Sequence, residues 1–123
     1  MIKNIWFWII MIVVVVGVGV MAYQLVPATE KPELNAFAQC VTDKGWTMYG
    51  AYWCGHCQNE KANYGSAFQY IKYVECTDET DLCTEKQING YPTWLGPDEA
   101  REEGELGLRK MAELSGCELP AGY

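Results

Sequence analysis

Cys54-Gly55-His56-Cys57 is the densest group of chemistry-bearing residues in this 123-residue sequence: two thiols two residues apart, with the only histidine between them. Three residues along a helix is nearly one turn, so Cys57 can reach Cys54 and close a disulfide. If the segment opens a helix, Cys54 faces unpaired backbone N–H groups and the positive end of the helix dipole, which favour its thiolate. A protonated His56 acts in the same direction, making the reduced dithiol more stable and the disulfide more oxidising. On this reading Cys54 is the exposed attacking thiol and Cys57 the resolving one. Two other readings stay open. A purely structural disulfide over so short a loop constrains little chain and stabilises little. A zinc site could draw thiolates from the 54/57 and 76/83 pairs, although the second pair is spaced more widely than a usual zinc knuckle.

The remaining cysteines are Cys40, Cys76, Cys83 and Cys117. An even count in a small exported domain points to disulfides, whereas in the cytosol it would point to metal. Cys76 and Cys83 lie seven apart across an acidic turn, close enough to pair. A Cys40–Cys117 bond would staple the first helix of the domain to the end of its last. Six cysteines allow 15 pairings, and one outer pair could instead relay electrons. Tyr91-Pro92 stands before a strand-like Thr93-Trp94-Leu95. It is either a cis proline in a tight turn or a trans proline closing a short helix. Trp53 and Trp94 are each an apolar platform for a partner peptide or a core residue. Trp53 is the better platform, because its neighbour Cys54 has to be reached.

The elements that must position these residues follow from periodicity. Leu34, Phe37, Ala38 and Val41 form one helical stripe, stopped at Gly45. Trp46 to Ala51 reads as a central strand that runs directly into the dithiol. Gln58 to Tyr70 reads as a helix with Ala62, Ala67 and Phe68 inward, weakened by Gly65 and Ser66. Ile71 to Cys76 is a second strand, Leu82 to Ile88 a short helix, and Thr93 to Leu95 a third strand. Gly96-Pro97-Asp98 marks a turn, Glu99 to Glu105 a wet edge strand, and Leu108 to Leu114 a last helix ending at Gly116. Strands alternating with helices call for a layered α/β domain.

Before all of this runs an apolar stretch. From Ile5 to Val20 every residue is apolar or glycine, and no charge follows until Glu30. This length crosses a bilayer as a helix, with Trp6, Trp8 and Tyr23 at headgroup level. The expected layout is residues 1–4 cytoplasmic, 5–25 transmembrane anchor, 26–33 linker, 34–118 domain and 119–123 tail. A cleaved signal peptide is the competing reading, but its apolar core would be shorter and followed by a small-x-small site. Lys3 places the N-terminus in the cytoplasm and the domain outside, periplasmic or extracellular. Residues 27–123 carry all 16 acidic residues and 8 of the 9 basic ones, a net charge of −8. Such a surface is a poor partner for nucleic acid. No bound cofactor or resident metal is called for, and nothing encodes a dimer module, so a monomer is expected.

Met48-Tyr49-Gly50-Ala51-Tyr52-Trp53-Cys54-Gly55-His56-Cys57, with Tyr73-Val74-Glu75-Cys76 and Gly90-Tyr91-Pro92-Thr93-Trp94, resembles the thioredoxin superfamily. More narrowly it is similar to the thioredoxin-like domain fused to, or working beside, bacterial homologues of vitamin K epoxide reductase. The resemblance covers about residues 34–118. It implies a four-stranded mixed sheet flanked by helices, a cis bond at Tyr91-Pro92 facing the dithiol, and a Cys76–Cys83 disulfide. It also implies catalysis by Cys54, Cys57 and His56, support from Trp53, Gly55, Tyr91 and Pro92, and Thr93 against the partner backbone. The implied partners are substrate proteins with thiols and, in trans, a quinone-linked membrane oxidoreductase.

Two departures follow. The membrane partner's four-helix domain is absent, and the buried carboxylate that thioredoxins carry six residues before the first cysteine is here Met48. Glu60 lies on the helix rather than under the loop, so the proton acceptor for Cys57 is unassigned. The expected activity is an anchored oxidase of protein thiols, with a reductase or isomerase of protein folding as the alternative. A non-enzymatic metal-holding module is the third reading.

Overall fold

The computed structural model describes residues 2–24 and 30–123. α1 spans Ile2–Gln24. Within it Asn4–Met21 has a mean hydropathy of 2.4 and exposes every side chain, long and apolar enough to cross a membrane. Leu25 and the front of the expected linker lie outside the described residues. The back of that linker belongs to the domain. The Lys31 backbone N–H donates to Ser66 Oγ at 2.8 Å, Pro32–Leu34 winds into a 3-10 turn, and Leu34 is fully buried. The 119–123 tail is also docked, with Leu119 and Tyr123 against the core and Arg109 Nε donating to the Tyr123 carbonyl at 3.1 Å.

After α2 (Asn35–Asp43) come β1 (Thr47–Gly50), α3 (Gly55–Tyr64), β2 (Lys72–Glu75), α4 (Thr80–Glu85), β3 (Thr93–Leu95), β4 (Arg101–Glu103) and α5 (Gly107–Ser115). The sheet order is β2-β1-β3-β4, with β1/β2 parallel and the other two pairings antiparallel. The layered α/β expectation therefore holds, as a mixed four-stranded sheet flanked by helices. Strand side chains alternate between faces. Met48 and its register partner Trp94 enter the main core with Leu34, Phe37, Val41, Tyr64 and Met111. Tyr49 turns the other way, to a smaller cluster with Cys76 and Cys83. Trp94 is fully buried, which settles it as core rather than platform. Truncating a side chain of that size costs about 3–5 kcal/mol.

Two elements differ from expectation. The 58–70 helix is two pieces. α3 ends at Tyr64, Gly65 takes φ +55°, and Gly65–Tyr70 continues as a 3-10 helix. Only a residue without Cβ enters that backbone region cheaply. The break rotates the inward face, so Ala67 is buried while Ala62 is exposed. The short helix lies at 80–85 rather than 82–88, because Gln87 takes φ +55° and ends it.

Candidate functional site

β1 and α3 meet at Ala51-Tyr52-Trp53, so the dithiol sits where the central strand hands over to a helix. Cys54 is the N-cap of α3, with extended backbone at φ −78° and ψ 116°. Its Sγ takes the place a serine or aspartate oxygen usually fills and accepts from the Cys57 N–H at 3.2 Å. Both thiols are free. The Tyr91–Pro92 bond is cis, and the Tyr91 carbonyl accepts from Cys54 Sγ at 3.6 Å.

Cys54 is not the exposed group expected. It is 6% accessible, because its thiol is turned toward the Cys57 N–H and the Tyr91 carbonyl rather than toward solvent. Exposure falls instead on its neighbours Tyr52 and Trp53, 67% and 60% accessible, with Trp53 edge-on to Tyr91. Cys57 is fully buried. Burial, then the hydrogen bond with Cys54, pushes its thiol up to about 12, against weaker opposing pulls from the Ala51 backbone and then Lys61. At neutral pH Cys57 is therefore a thiol that has to lose a proton before it can attack.

His56 is largely exposed, and its Nδ1 pairs with Glu105 Oε1 at 2.8 Å. Asn59 Nδ2 donates to the same oxygen at 2.9 Å, and these two contacts hold the Glu105 carboxyl below its usual range. Glu105 lies 49 residues away in sequence, so spacing carried no sign of it. Gly55 is exposed, and a Cβ there would meet nothing within 4 Å, so the loop does not require glycine. Thr93 is fully buried on β3, and its hydroxyl donates back to the Gly90 carbonyl at 2.7 Å. The backbone atom at the dithiol belongs to Tyr91 rather than to Thr93, because Thr93 already lies in register between Tyr49 and Glu103.

Cys40–Cys117 and Cys76–Cys83 are disulfides, spanning 77 and 7 residues. With these four bonded, the thiolates that a zinc site would draw from 76 and 83 are not available. No group of three metal-ligating side chains occurs among the described residues.

Glu60 lies on α3, as the sequence places it, and is completely buried there. Both carboxylate oxygens accept from the Gly107 N–H, at 3.1 and 3.3 Å, at the first turn of α5. Burial raises its carboxyl, opposed by the backbone donors of Gly107 and Leu106. It therefore closes the N-terminus of α5 from a neighbouring helix. The 57/60 spacing places the two on one helical face, but only the fold reveals the partner.

A strand-to-helix junction carrying a buried dithiol opposite a cis proline, on a mixed four-stranded sheet, defines a thiol–disulfide exchange domain. The thioredoxin family model matches residues 29–116, and the chain belongs to that family. The thiol-disulfide oxidoreductase LTO1 of Arabidopsis thaliana is 33% identical over 103 residues, 76% of this chain and 27% of that one. The protein disulfide-isomerase of Humicola insolens is 42% identical over 50 residues, 35% of this chain and 10% of its own length. The chain thus spans about a quarter or less of these relatives. Chloroplastic thioredoxin z aligns over 72% of this chain and 88% of its own, at 20% identity and a TM-score of 0.43.

Proposed function

We propose that this protein is a membrane-anchored thiol–disulfide oxidoreductase that reduces and reshuffles disulfides in exported proteins, with Cys54 as attacking thiol and Cys57 as resolving thiol. The observation that carries this reading is the asymmetry of the dithiol. Cys54 Sγ lies at a helix N-terminus, receiving the Cys57 N–H. Those groups favour negative charge as it develops on sulfur during exchange. Cys57 is sealed one turn below and protonated. A substrate disulfide docks against Trp53 and the Tyr91-Pro92 backbone. Cys54 attacks it, one substrate sulfur leaves as thiolate, and a mixed disulfide forms. Cys57 then attacks Cys54, closes the intramolecular bond and releases the second substrate sulfur. The same steps in reverse oxidise a substrate dithiol. The anchor is α1, oriented with its N-terminus in the cytoplasm and the domain outside.

Isomerase chemistry is favoured because relatives named as protein disulfide-isomerases match between 35% and 48% of this chain. A second reading, net oxidation with electrons passed to a quinone-linked membrane partner similar to vitamin K epoxide reductase, is favoured by His56 within the loop. A protonated imidazole there stabilises the reduced dithiol, although its pairing with Glu105 offsets part of that effect.

Trapping tests the roles. Cys57→Ala is expected to accumulate mixed disulfides through Cys54, while Cys54→Ala traps nothing, read by non-reducing gels and mass spectrometry. The reverse pattern overturns the assignment. The in vivo redox state then separates the directions, since a reductase or isomerase is kept mostly reduced and an oxidase mostly oxidised.

A further inference from the structure

Cys57 must shed a proton each time it resolves a mixed disulfide, and the strand position that holds a carboxylate in thioredoxins is here the buried, apolar Met48. The register of the sheet shows what stands beside it. In the parallel β1/β2 pair, Met48 is the partner of Tyr73 and Gly50 the partner of Glu75. Residues 48, 50, 73 and 75 therefore share one face of the sheet. Gly50 leaves a gap on that face. A Cβ placed there would sit 2.9 Å from Cys57 Sγ and 3.2 Å from the Tyr73 hydroxyl. The thiol and the phenol thus border the same space, the one a side chain at Gly50 would fill. The Tyr73 hydroxyl donates to Glu75 Oε2 at 2.8 Å, which leaves its oxygen free to accept. Glu75 Oε1 is held by the Tyr52 N–H at 3.2 Å and the Thr77 hydroxyl at 2.9 Å, at the half-buried edge of the domain.

We propose that Tyr73 and Glu75 form the proton path of Cys57, standing one strand over from the carboxylate position that Met48 vacates.

The inference rests on the resolving role of Cys57. In the resolving step the Cys57 sulfur bonds to Cys54 Sγ while the Cys54–substrate S–S bond breaks, and the electron pair leaves on the substrate sulfur. The Cys57 proton passes to the Tyr73 oxygen, the phenol proton passes to Glu75, and Glu75 releases it to water. As the new S–S bond forms, the Cys57 sulfur loses its hold on the proton. An ionised carboxylate of low proton affinity is therefore a sufficient outlet. In the reverse direction the same chain delivers a proton to departing Cys57.

The charged and titratable groups around this path are few. Cys54 stands at the head of α3, and Lys61 Nζ lies 3.9 Å from the centre of the Tyr73 ring. There Lys61 steadies negative charge on Cys57 or on the phenol. Glu60 is committed to the Gly107 N–H, and His56 to Glu105.

The test is a pH-jump on the full chain in detergent, using the Cys54–glutathione mixed disulfide and following release of glutathione. In Tyr73→Phe and in Glu75→Gln, release is expected to be about a hundredfold slower at pH 7, the low end of what a lost general base costs. The deficit closes as pH rises and hydroxide replaces the path. Alkylation of Cys54 stays at the parent rate. Profiles that superimpose on the parent in both variants overturn the inference, as does an equal slowing at every pH, which marks a structural displacement. Failure of the underlying role looks different: Cys57→Ala would then release glutathione as fast as the parent. Tyr73→Phe keeps the ring under Lys61, and Glu75→Gln leaves the ring untouched. A folding defect in one variant therefore does not remove the other as a test.

Discussion

Glu60 and Glu75 both carry a carboxylate into the half of the domain that holds the dithiol, and the fold uses them in opposite ways. Glu60 is fully buried, raised by burial, and tied to the first turn of α5. Glu75 is half-buried. Partial burial pushes its carboxyl up, but donors from Tyr73, Thr77 and Tyr52 outweigh that and hold it below the usual range. A search for the most buried acid near Cys57 would select Glu60. What matters for a proton path is connection, and Glu75 is the one bonded to a hydroxyl that borders the same gap as Cys57. Each side also has its own disulfide. Cys40–Cys117 closes the end of α5, and Cys76–Cys83 begins one residue after Glu75.

The largest expected difference between the two sides is in these staples. Replacing Cys40 and Cys117 together by alanine is expected to lower stability by about 4 kcal/mol, and replacing Cys76 and Cys83 by about 2.5 kcal/mol, because unfolded-state entropy scales with loop length. Urea titration of the full chain in detergent reads both. An equal loss would break the assignment of the long staple as the main constraint.

Next comes Glu60→Ala, expected to cost about 3 kcal/mol by leaving the Gly107 N–H buried without an acceptor and opening a void. Glu60→Gln keeps both shape and an acceptor oxygen and should cost about 1 kcal/mol or less, with turnover unchanged. A turnover loss in Glu60→Gln would move the proton path to the other side of the comparison.

Gly50→Ala sharpens the Glu75 side. Its methyl would force Cys57 Sγ and Tyr73 apart, an overpacking expected to cost about 1–3 kcal/mol. The release of glutathione should slow most at low pH.

The smallest effects are in the pH dependence of stability, and their signs oppose. Glu60 has a raised folded pKa, so the folded state binds the extra proton. Stability from this group is present below the unfolded carboxyl value of about 4.3 and falls as pH rises through the folded value. Glu75 has a lowered folded pKa. Its contribution is present above about pH 4.3 and is lost as pH falls through the folded value. Melting curves of Glu60→Gln and Glu75→Gln between pH 3 and 7 should depart from the parent with opposite slopes. Slopes of one sign would show the two carboxylates to be equivalent.

Much of this was legible along the chain. The stripe Leu34, Phe37, Ala38 and Val41 is inside at all four positions, because 3.6-residue periodicity is a property of neighbours. The order of strands and helices emerged for the same reason, as did the apolar helix at the front. Helix ends differ from the side-chain pattern where the backbone takes a positive φ. Gly65 and Gln87 at positive φ ended helices that side-chain pattern alone would have extended. Met48 was readable as a missing carboxylate. Its replacement was not, because Tyr73 enters only through the parallel register of β1 with β2.

Cys54-Gly55-His56-Cys57 shows the division most clearly. The sequence by itself determined that two thiols lie one helical turn apart, since spacing within a helix is local geometry. Tertiary structure alone decided that Cys54 is covered by the Tyr91 carbonyl, that His56 answers to Glu105, and that Cys57 and Tyr73 border the same gap at Gly50. Those arrangements join residues 16 to 49 positions apart. They depend on strand register and helix docking, which the packing of the whole core sets and no local spacing encodes.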